Sequence, residues 1–324
     1  MKKILITGVG GFVSSHLINY ILKEQKDCEI AGIYRRHGVD SLQRLKEFGT
    51  EDKIKLYEGD LTSYNRVWQI LKDFKPDIIF HLAAQSFVKV SWETPEHTLT
   101  NNIVSQLNIF EAVKKLELDP VIQIAGSSEE YGMVTPDECP MKETNDLKPL
   151  SPYGVSKIAQ DKMAYQYYKS YGLKTVITRV FNHEGPGRGK EFVTSAFASQ
   201  IADIEINNKP AVIEVGNLEA ERDFTDVRDM VRAYWLAVNK CEHGEAYNIG
   251  SGEAHKISEV LEALVGASNI EGLKVNQNPD LMRPSDVPLL LADCTKFQKV
   301  TGWKPEISFE KMLADQLEYW KNKV

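Results

Sequence analysis

Tyr153 and Lys157 stand four residues apart in the stretch Ser151-Pro152-Tyr153-Gly154-Val155-Ser156-Lys157. On a helix that spacing puts a phenol and an ammonium on one face, one turn apart. The positive charge is expected to favour the phenolate and to lower the tyrosine pKa, giving an acid/base usable near neutral pH. Such a pair can move a proton at a carbinol or carbonyl oxygen. Spacing alone does not single it out. Tyr165/Lys169 and Tyr319/Lys323 share it, and both read as solvated helix faces.

The elements around the pair decide more. Ser151 and Pro152 open a helix: a hydroxyl at the N-cap, then proline at the first helical position. At the amino end, Lys3 to Thr7 reads as a buried strand, Gly8-Val9-Gly10-Gly11-Phe12 as a glycine-rich turn, and Val13 to Lys23 as a helix. Strand, turn and helix in that order suit a dinucleotide, because glycine lets the backbone approach a pyrophosphate at a helix N-terminus. Gly8 and Gly11 are the glycines of interest; Ser14 stands where a third is usual. Glu29 to Tyr34 is the second strand. It ends in Arg35-Arg36, where a residue binding the ribose hydroxyls of NAD would be acidic. Two guanidiniums suit a 2′-phosphate, so NADP(H) is expected ahead of NAD(H). Read only as structure, the pair is an exposed basic loop.

The α/β alternation continues. Lys53 to Leu61 is a strand ending in Gly59-Asp60-Leu61, and Arg66 to Phe74 a helix. Asp77 to Ala84 is a near-continuous apolar strand ending in His81-Leu82-Ala83-Ala84-Gln85-Ser86. Small residues at that end leave room where open α/β sheets bind ligands; His81 reads as a packing residue. A helix spans Pro95 to Lys115. Pro120 to Ser127 is a strand running into Ser127-Ser128-Glu129, and Lys174 to Phe181 is a sixth strand. Beyond residue 181 the alternation loosens. Helices are expected over Phe192–Ile206, Asp229–Lys240, Ile257–Val265 and Phe309–Trp320, with a strand at Ala246–Gly250. The chain divides into residues 1–181, a dinucleotide-binding domain to which the 246–250 strand returns, and 182–324, mainly a smaller substrate lobe.

The bulk properties narrow the class. The 324 residues carry a formal net charge of −7, against a nucleic-acid binder, which normally has a basic excess. Glycines 8, 10 and 11 interrupt the first apolar run, so it does not read as a signal peptide. No stretch approaches the ~20 apolar residues of a membrane span. Cys28, Cys139, Cys241 and Cys294 are scattered, and the seven histidines lack metal-ligand spacing. A cytoplasmic protein without a metal is the expectation.

Taken in order, Gly8-x-x-Gly11-Phe12, Asp60-Leu61, His81-Leu82-Ala83-Ala84, Ser127-Ser128-Glu129 and Tyr153-x-x-x-Lys157 resemble the extended short-chain dehydrogenase/reductases acting on nucleotide sugars. The resemblance covers nearly the whole chain. It implies a Rossmann-type doubly wound parallel sheet with a smaller mixed C-terminal substrate lobe. It implies an NADP(H) site involving Gly8, Gly11, Phe12, Val13, Arg35, Arg36, Asp60, Leu61, Leu82, Ala83 and Ala84, with catalysis by Ser127, Glu129, Tyr153 and Lys157. A GDP-sugar is implied against Ser86, Ser128, Asn182, Val193, Asn217, Arg222 and Arg283. For Arg222 and Arg283 the structural alternative is an ion pair with Asp223 or Asp286. A homodimer through the helices at Pro95–Lys115 and Pro152–Tyr171 is also implied.

Two branches of the family compete. The Ser127-Ser128-Glu129-Glu130-Tyr131-Gly132 run and Arg222-Asp223-Phe224-Thr225-Asp226-Val227-Arg228-Asp229 resemble the reductases that turn GDP-4-keto-6-deoxy-D-mannose into GDP-D-rhamnose. Ala84-Gln85-Ser86, Asn182-His183-Glu184 and Arg188 resemble the GDP-mannose 4,6-dehydratases, in which the glutamate at the Glu129 position is the base. The dehydratases usually carry Gln-Asp where Gly11-Phe12-Val13 stands, which puts the reductase first and the dehydratase second. A heptose in place of the hexose is an alternative in either. A regulator that binds NADP without turnover is the distant alternative, since such proteins tend to lose the tyrosine or the lysine.

Overall fold

Ile4, Leu5 and Ile6 are almost wholly buried although successive strand residues point to opposite faces. Ile4 and Ile6 enter one apolar cluster and Leu5 another. A strand buried on both sides belongs to a parallel sheet with helices on each face, and each such side chain contributes about 1.5–3 kcal/mol of burial. The computed structural model describes residues 1–25, 27–36, 42–282 and 287–324.

In the first part of the chain the order is β1 (Lys2–Thr7), α1 (Phe12–Glu24), β2 (Cys28–Tyr34), α2 (Gln43–Glu47), β3 (Lys55–Glu58), α3 (Tyr64–Phe74) and β4 (Ile78–His81). Then follow α4 (Val88–Glu93), α5 (Pro95–Lys115), β5 (Val121–Ala125), α6 (Pro152–Tyr171) and β6 (Lys174–Val180). The remainder comprises β7 (Asn182–Glu184), α7 (Val193–Asn207), β8 (Val212–Val215), β9 (Glu221–Asp226), α8 (Val227–Lys240) and β10 (Ala246–Ile249). It ends with β11 (Ala254–Lys256), α9 (Ile257–Gly266), β12 (Lys274–Gln277), β13 (Leu289–Leu290), α10 (Thr295–Thr301) and α11 (Phe309–Lys321).

The main sheet has the order β10-β6-β5-β4-β1-β2-β3, and every pairing is parallel. This is a Rossmann-like sheet. The strand order reverses between β1 and β4, which opens a crevice at their carboxyl ends. The smaller lobe is mixed: β9 pairs with β7 and β13 in parallel and with β11 antiparallel, while β8 and β12 form a separate parallel pair. No helix among the described residues is long and apolar enough to cross a membrane.

Most expected elements form close to their expected bounds, α5 and the start of α6 included. The difference at β4 has a local cause. The apolar run continues to Ala84, but Leu82 and Ala83 donate their N–H groups to Thr7 Oγ1, both at 3.1 Å, and leave the ladder after His81. Strand β9 was not expected, because all but its first residue are buried and its Arg, Asp and Thr residues hide any alternation.

Helix α6 is built as its sequence suggests. Ser151 Oγ accepts from Gly154 N–H at 3.0 Å, Pro152 occupies the first turn, and Gly172 closes the helix at φ 75°. Gly154 also lets the helix lie against the turn after β5: a Cβ there would stand 2.6 Å from Glu129 O and 3.0 Å from Pro149 Cβ. Gly154→Ala gains up to about 1 kcal/mol of helix propensity. The forced overlap costs about 1–3 kcal/mol, so the variant is expected to be net destabilised. Its urea midpoint should fall at unchanged slope; a rise would show that the helix can shift without penalty.

Candidate active site

The carboxyl ends of β1, β2, β4, β5 and β6 border a cleft of about 940 Å³. At one end lies the glycine turn. Gly8 has φ +67°, and a Cβ there would come within 2.9 Å of Ala83 Cα; at Gly11 it would meet Gly8 O at 3.0 Å. The turn is therefore pressed onto the Leu82-Ala83-Ala84 segment, with backbone exposed to the cleft and Phe12 and Val13 beside it. Ser14, in place of a third glycine, donates its hydroxyl to Gly8 O at 2.8 Å. A serine here braces the turn.

Arg35 reaches the cleft from the end of β2, with Nη1 3.5 Å from Asp60 Oδ2 and 3.5 Å from Asn101 Oδ1. Asp60 is held in turn by the Thr62 N–H and hydroxyl, each at 2.8 Å, and Leu61 follows it along the wall. Arg36 is exposed and does not line the cleft. In extended chain the next side chain points the other way, so the structure places one of the two expected guanidiniums at the site.

The candidate reacting groups converge at the mouth of β5. Ser127 Oγ accepts from Glu129 N–H at 3.2 Å, which folds Ser127-Ser128-Glu129 into a tight turn along the cleft. The Tyr153 phenol is buried and hydrogen-bonded to the Ser127 side chain. Lys157, 4% exposed, lies with Nζ 5.7 Å from the centre of the Tyr153 ring and donates to Ala125 O at 2.7 Å. The expectation that lysine lowers the tyrosine pKa is not met in this arrangement. Burial pushes the phenol up, the Ser127 bond opposes it, and the charges of Glu129 and Glu130 push it further up. Burial brings Lys157 down to about 8, with the Glu130 charge opposing. The phenol is thus a protonated acid at neutral pH.

Of the other expected contacts, Ser86, Ser128, Asn182 and Arg222 line the cleft, while Val193 and Asn217 do not. Val193 opens α7 next to Phe192, which does line it. Asp223, one residue from Arg222, accepts from Ser251, Gly252 and Ala292 backbone N–H groups. Arg283 and Asp286 lie outside the described residues. Tyr165 is exposed on α6. Tyr319 and Lys323, expected on a solvated face, border the cleft and both bond Glu47 of α2, at 3.2 and 2.7 Å.

Several cleft residues were not singled out as site residues from the sequence. Arg188 lies 3.3 Å from the Phe192 ring centre and 5.1 Å from that of Phe12, and it pairs with buried Glu184 at 3.5 Å. His183 stacks parallel to Phe12 and is pushed down to about 3 by burial, so it is neutral. Arg44 bonds Gly187 O at 3.1 Å and Gly10 O at 3.5 Å, spanning the glycine turn and the 185–189 loop. Arg188 and Arg44 bring two further cations to the glycine-turn side of the cleft, and the Arg188 charge also acts on the Tyr153 phenol. Only the His183–Arg188 run, within a glycine-rich loop, gave any local signal.

The fold and this constellation define an extended short-chain dehydrogenase/reductase. Residues 5–316 match the family model described as GDP-mannose 4,6 dehydratase, and the chain belongs to that family, whose members act on GDP-sugars with a nicotinamide dinucleotide. It is 32% identical to a GDP-mannose 4,6 dehydratase of Drosophila melanogaster, over 98% of this chain and 85% of the relative. It is 30% identical to a GDP-6-deoxy-D-mannose reductase of Pseudomonas aeruginosa, over 100% of this chain and 98% of that one. Among solved structures it is similar to RMD from Pseudomonas aeruginosa complexed with NADPH, with a TM-score of 0.86, 29% identity and complete coverage of both chains.

With a folded value near 8 and an unfolded value of 10.5, Lys157 binds fewer protons in the native state between those limits. Its contribution to stability therefore rises with pH across that window. In [ε-¹³C]lysine-labelled protein the Lys157 resonance, identified by its loss in Lys157→Met, should titrate with a midpoint near pH 8. A midpoint above 10, like that of a solvated lysine, would contradict the buried environment.

Proposed function

We propose that this protein catalyses 4,6-dehydration of a GDP-hexose of the mannose type, with NADP(H) as its cofactor. The observation that carries this reading is Glu129, a carboxylate on the same turn as Ser127 and close enough for its charge to act on the Tyr153 phenol. The residues present fit the dinucleotide: Gly8 and Gly11 leave a cradle that a Cβ would fill. Arg35, Arg44 and Arg188 offer cations for its phosphates, and the similar Pseudomonas structure is complexed with NADPH. Bound there, the nicotinamide supplies reversible hydride exchange with a sugar carbon.

The chain's own groups handle the protons. Tyr153 is protonated at neutral pH and must first give up that proton; as phenolate it then takes the C4 hydroxyl proton, with Lys157 as its cationic neighbour and Ser127 hydrogen-bonding the same oxygen. The C4 carbonyl acidifies C5–H. Glu129 removes that proton and passes it to the C6 hydroxyl, which leaves as water; the hydride taken from C4 would then return to C6 as C5 takes up a proton. Arg222 faces the sugar diphosphate, where a guanidinium matches phosphate oxygens in pairs, with Ser86, Ser128 and Asn182 nearby and Arg283 assigned by resemblance. Glu129, the family model and the Drosophila relative together support dehydration over the reduction that the glycine turn suggested.

The second reading is reduction of the C4 ketone of GDP-4-keto-6-deoxy-D-mannose to GDP-D-rhamnose. What favours it is the Phe12-Val13 pair in the glycine turn and the end-to-end match to the Pseudomonas reductase. In it Tyr153 gives its proton to the C4 oxygen and Glu129 has no transfer to perform. We also infer a homodimer through α5 and α6, where Leu107, Val155 and Tyr165 are exposed. Light scattering should then give twice the chain mass, reduced to one chain mass by Val155→Asp.

Two incubations followed by mass spectrometry separate the readings. With GDP-mannose and NADP⁺ a product lighter by one water is expected; no change there, with gain of two hydrogens by GDP-4-keto-6-deoxymannose and NADPH, would replace dehydration by reduction. Glu129→Gln should abolish water loss, whereas a reductase would tolerate it. Tyr153→Phe should lose at least about a hundredfold in turnover and still bind NADPH; unchanged turnover removes its assignment. Arg35→Asp should weaken NADPH more than NADH, and equal weakening would count against 2′-phosphate recognition.

A further inference from the structure

Behind Ser127 lies a buried polar cluster that the proton transfers above do not use. Glu130 is fully buried. Its Oε1 accepts from Ser127 N–H at 2.8 Å. Its Oε2 is buried without a hydrogen-bond partner and stands 3.5 Å from Arg179 Nε. Arg179 directs its hydrogen bonds elsewhere: to Asp161 at 2.9 Å, the Tyr131 hydroxyl at 3.1 Å and Glu143 O at 3.0 Å. Gly126 makes room for the carboxyl, since a Cβ there would lie 2.7 Å from Glu130 Oε1. The chain thus places a carboxyl group directly under its catalytic turn.

Charge counting explains why that is tolerable. Glu130 and Asp161 share one guanidinium, and all three side chains are at most 3% exposed. Two buried anions on one buried cation leave a negative charge that a low-dielectric interior does not accept unpaired, and Glu130 answers by holding its proton: burial, and then the Asp161 charge, push its carboxyl up to about 8. Asp161 has a second cation, Lys162, at 3.2 Å, but that ammonium is 60% exposed and screened by water. The Lys157 charge opposes the rise of the Glu130 carboxyl without cancelling it. Protonated or ionised, that carboxyl keeps an oxygen for Ser127 N–H. The other titratable groups nearby do not change the count. His81, bonded to Thr7, is neutral, and Tyr153 and Tyr131 are held protonated by burial.

We propose that Glu130 is a positioning residue of the active site: its carboxyl oxygen accepts the Ser127 N–H from beneath and so fixes the turn that carries Ser127. The inference rests on the role given above to Ser127.

Glu130→Gln and Glu130→Leu test it. Glutamine keeps an oxygen for Ser127 N–H and leucine does not. In ¹⁵N-labelled protein the Ser127 amide proton should keep its downfield position in Glu130→Gln and move upfield in Glu130→Leu, and the same position in all three proteins overturns the positioning. That measurement uses no substrate, so it stands even if the wild-type chain fails to turn over GDP-mannose, a result that would sink the functional reading instead. For turnover, Glu130→Leu should lose about a hundredfold in kcat at unchanged KM, and Glu130→Gln should recover most of it at pH 6.5. Equal losses in the two variants at pH 6.5, or none in Glu130→Leu, overturn the positioning of Ser127.

Discussion

The site depends on one buried contact, the 2.7 Å hydrogen bond from the Lys157 ammonium to the carbonyl of Ala125. An ammonium is expensive to remove from water unless it is paired. Here it ties helix α6 to the last residue of β5, at the point where the chain turns into Ser127-Ser128-Glu129. Because Tyr153 is one turn earlier on the same helix, the contact also sets the phenol against Ser127. Gly154 permits the approach by having no Cβ to meet Glu129 O. A side chain that lines the cleft thus also sets the geometry around it.

The same economy holds at the other end of the cleft. Thr7 accepts two backbone N–H groups from Leu82 and Ala83, and its hydroxyl proton is then free to go to His81 Nδ1, 3.0 Å away. That ends β4 and leaves its next residues as the wall opposite the glycine turn. Small residues there are a packing requirement, since Gly8 rests on Ala83. The crevice at the strand-order reversal is therefore shaped by β1 as much as by the ligand it would accept.

Charge placement distinguishes the two ends. The glycine-turn end gathers Arg35 and Arg44, a charge pattern suited to phosphates, with Arg188 between it and Tyr153. The β5 end gathers Glu129, Glu130 and Tyr153 around one ammonium, suited to proton transfer. The ranking of reductase over dehydratase from the glycine turn rested on residues at the first end, whereas the chemistry that separates the two reactions lies at the second. Phe12 and Val13 line the cleft beside the glycine turn. Glu129 bears on whether a carbon acid can be deprotonated.

By itself, the sequence determined the alternating elements, the cap of α6, the glycine turn, and the family to which Gly8, Ser127, Tyr153 and Lys157 point. These are local signals: burial on both strand faces, a hydroxyl before proline, glycines at set intervals. Only the tertiary structure decided that Arg35 reaches the cleft and Arg36 does not, and that Arg44 bridges two loops. It also showed that Tyr319 and Lys323 border the pocket, and that Glu130 and not Glu129 lies beneath Ser127. It reversed the expected direction for Tyr153, because a lysine four residues away says nothing about how deeply the phenol is buried. Spacing along a chain specifies which side chains can share a face. Desolvation and partners far away in sequence are set only when the elements pack.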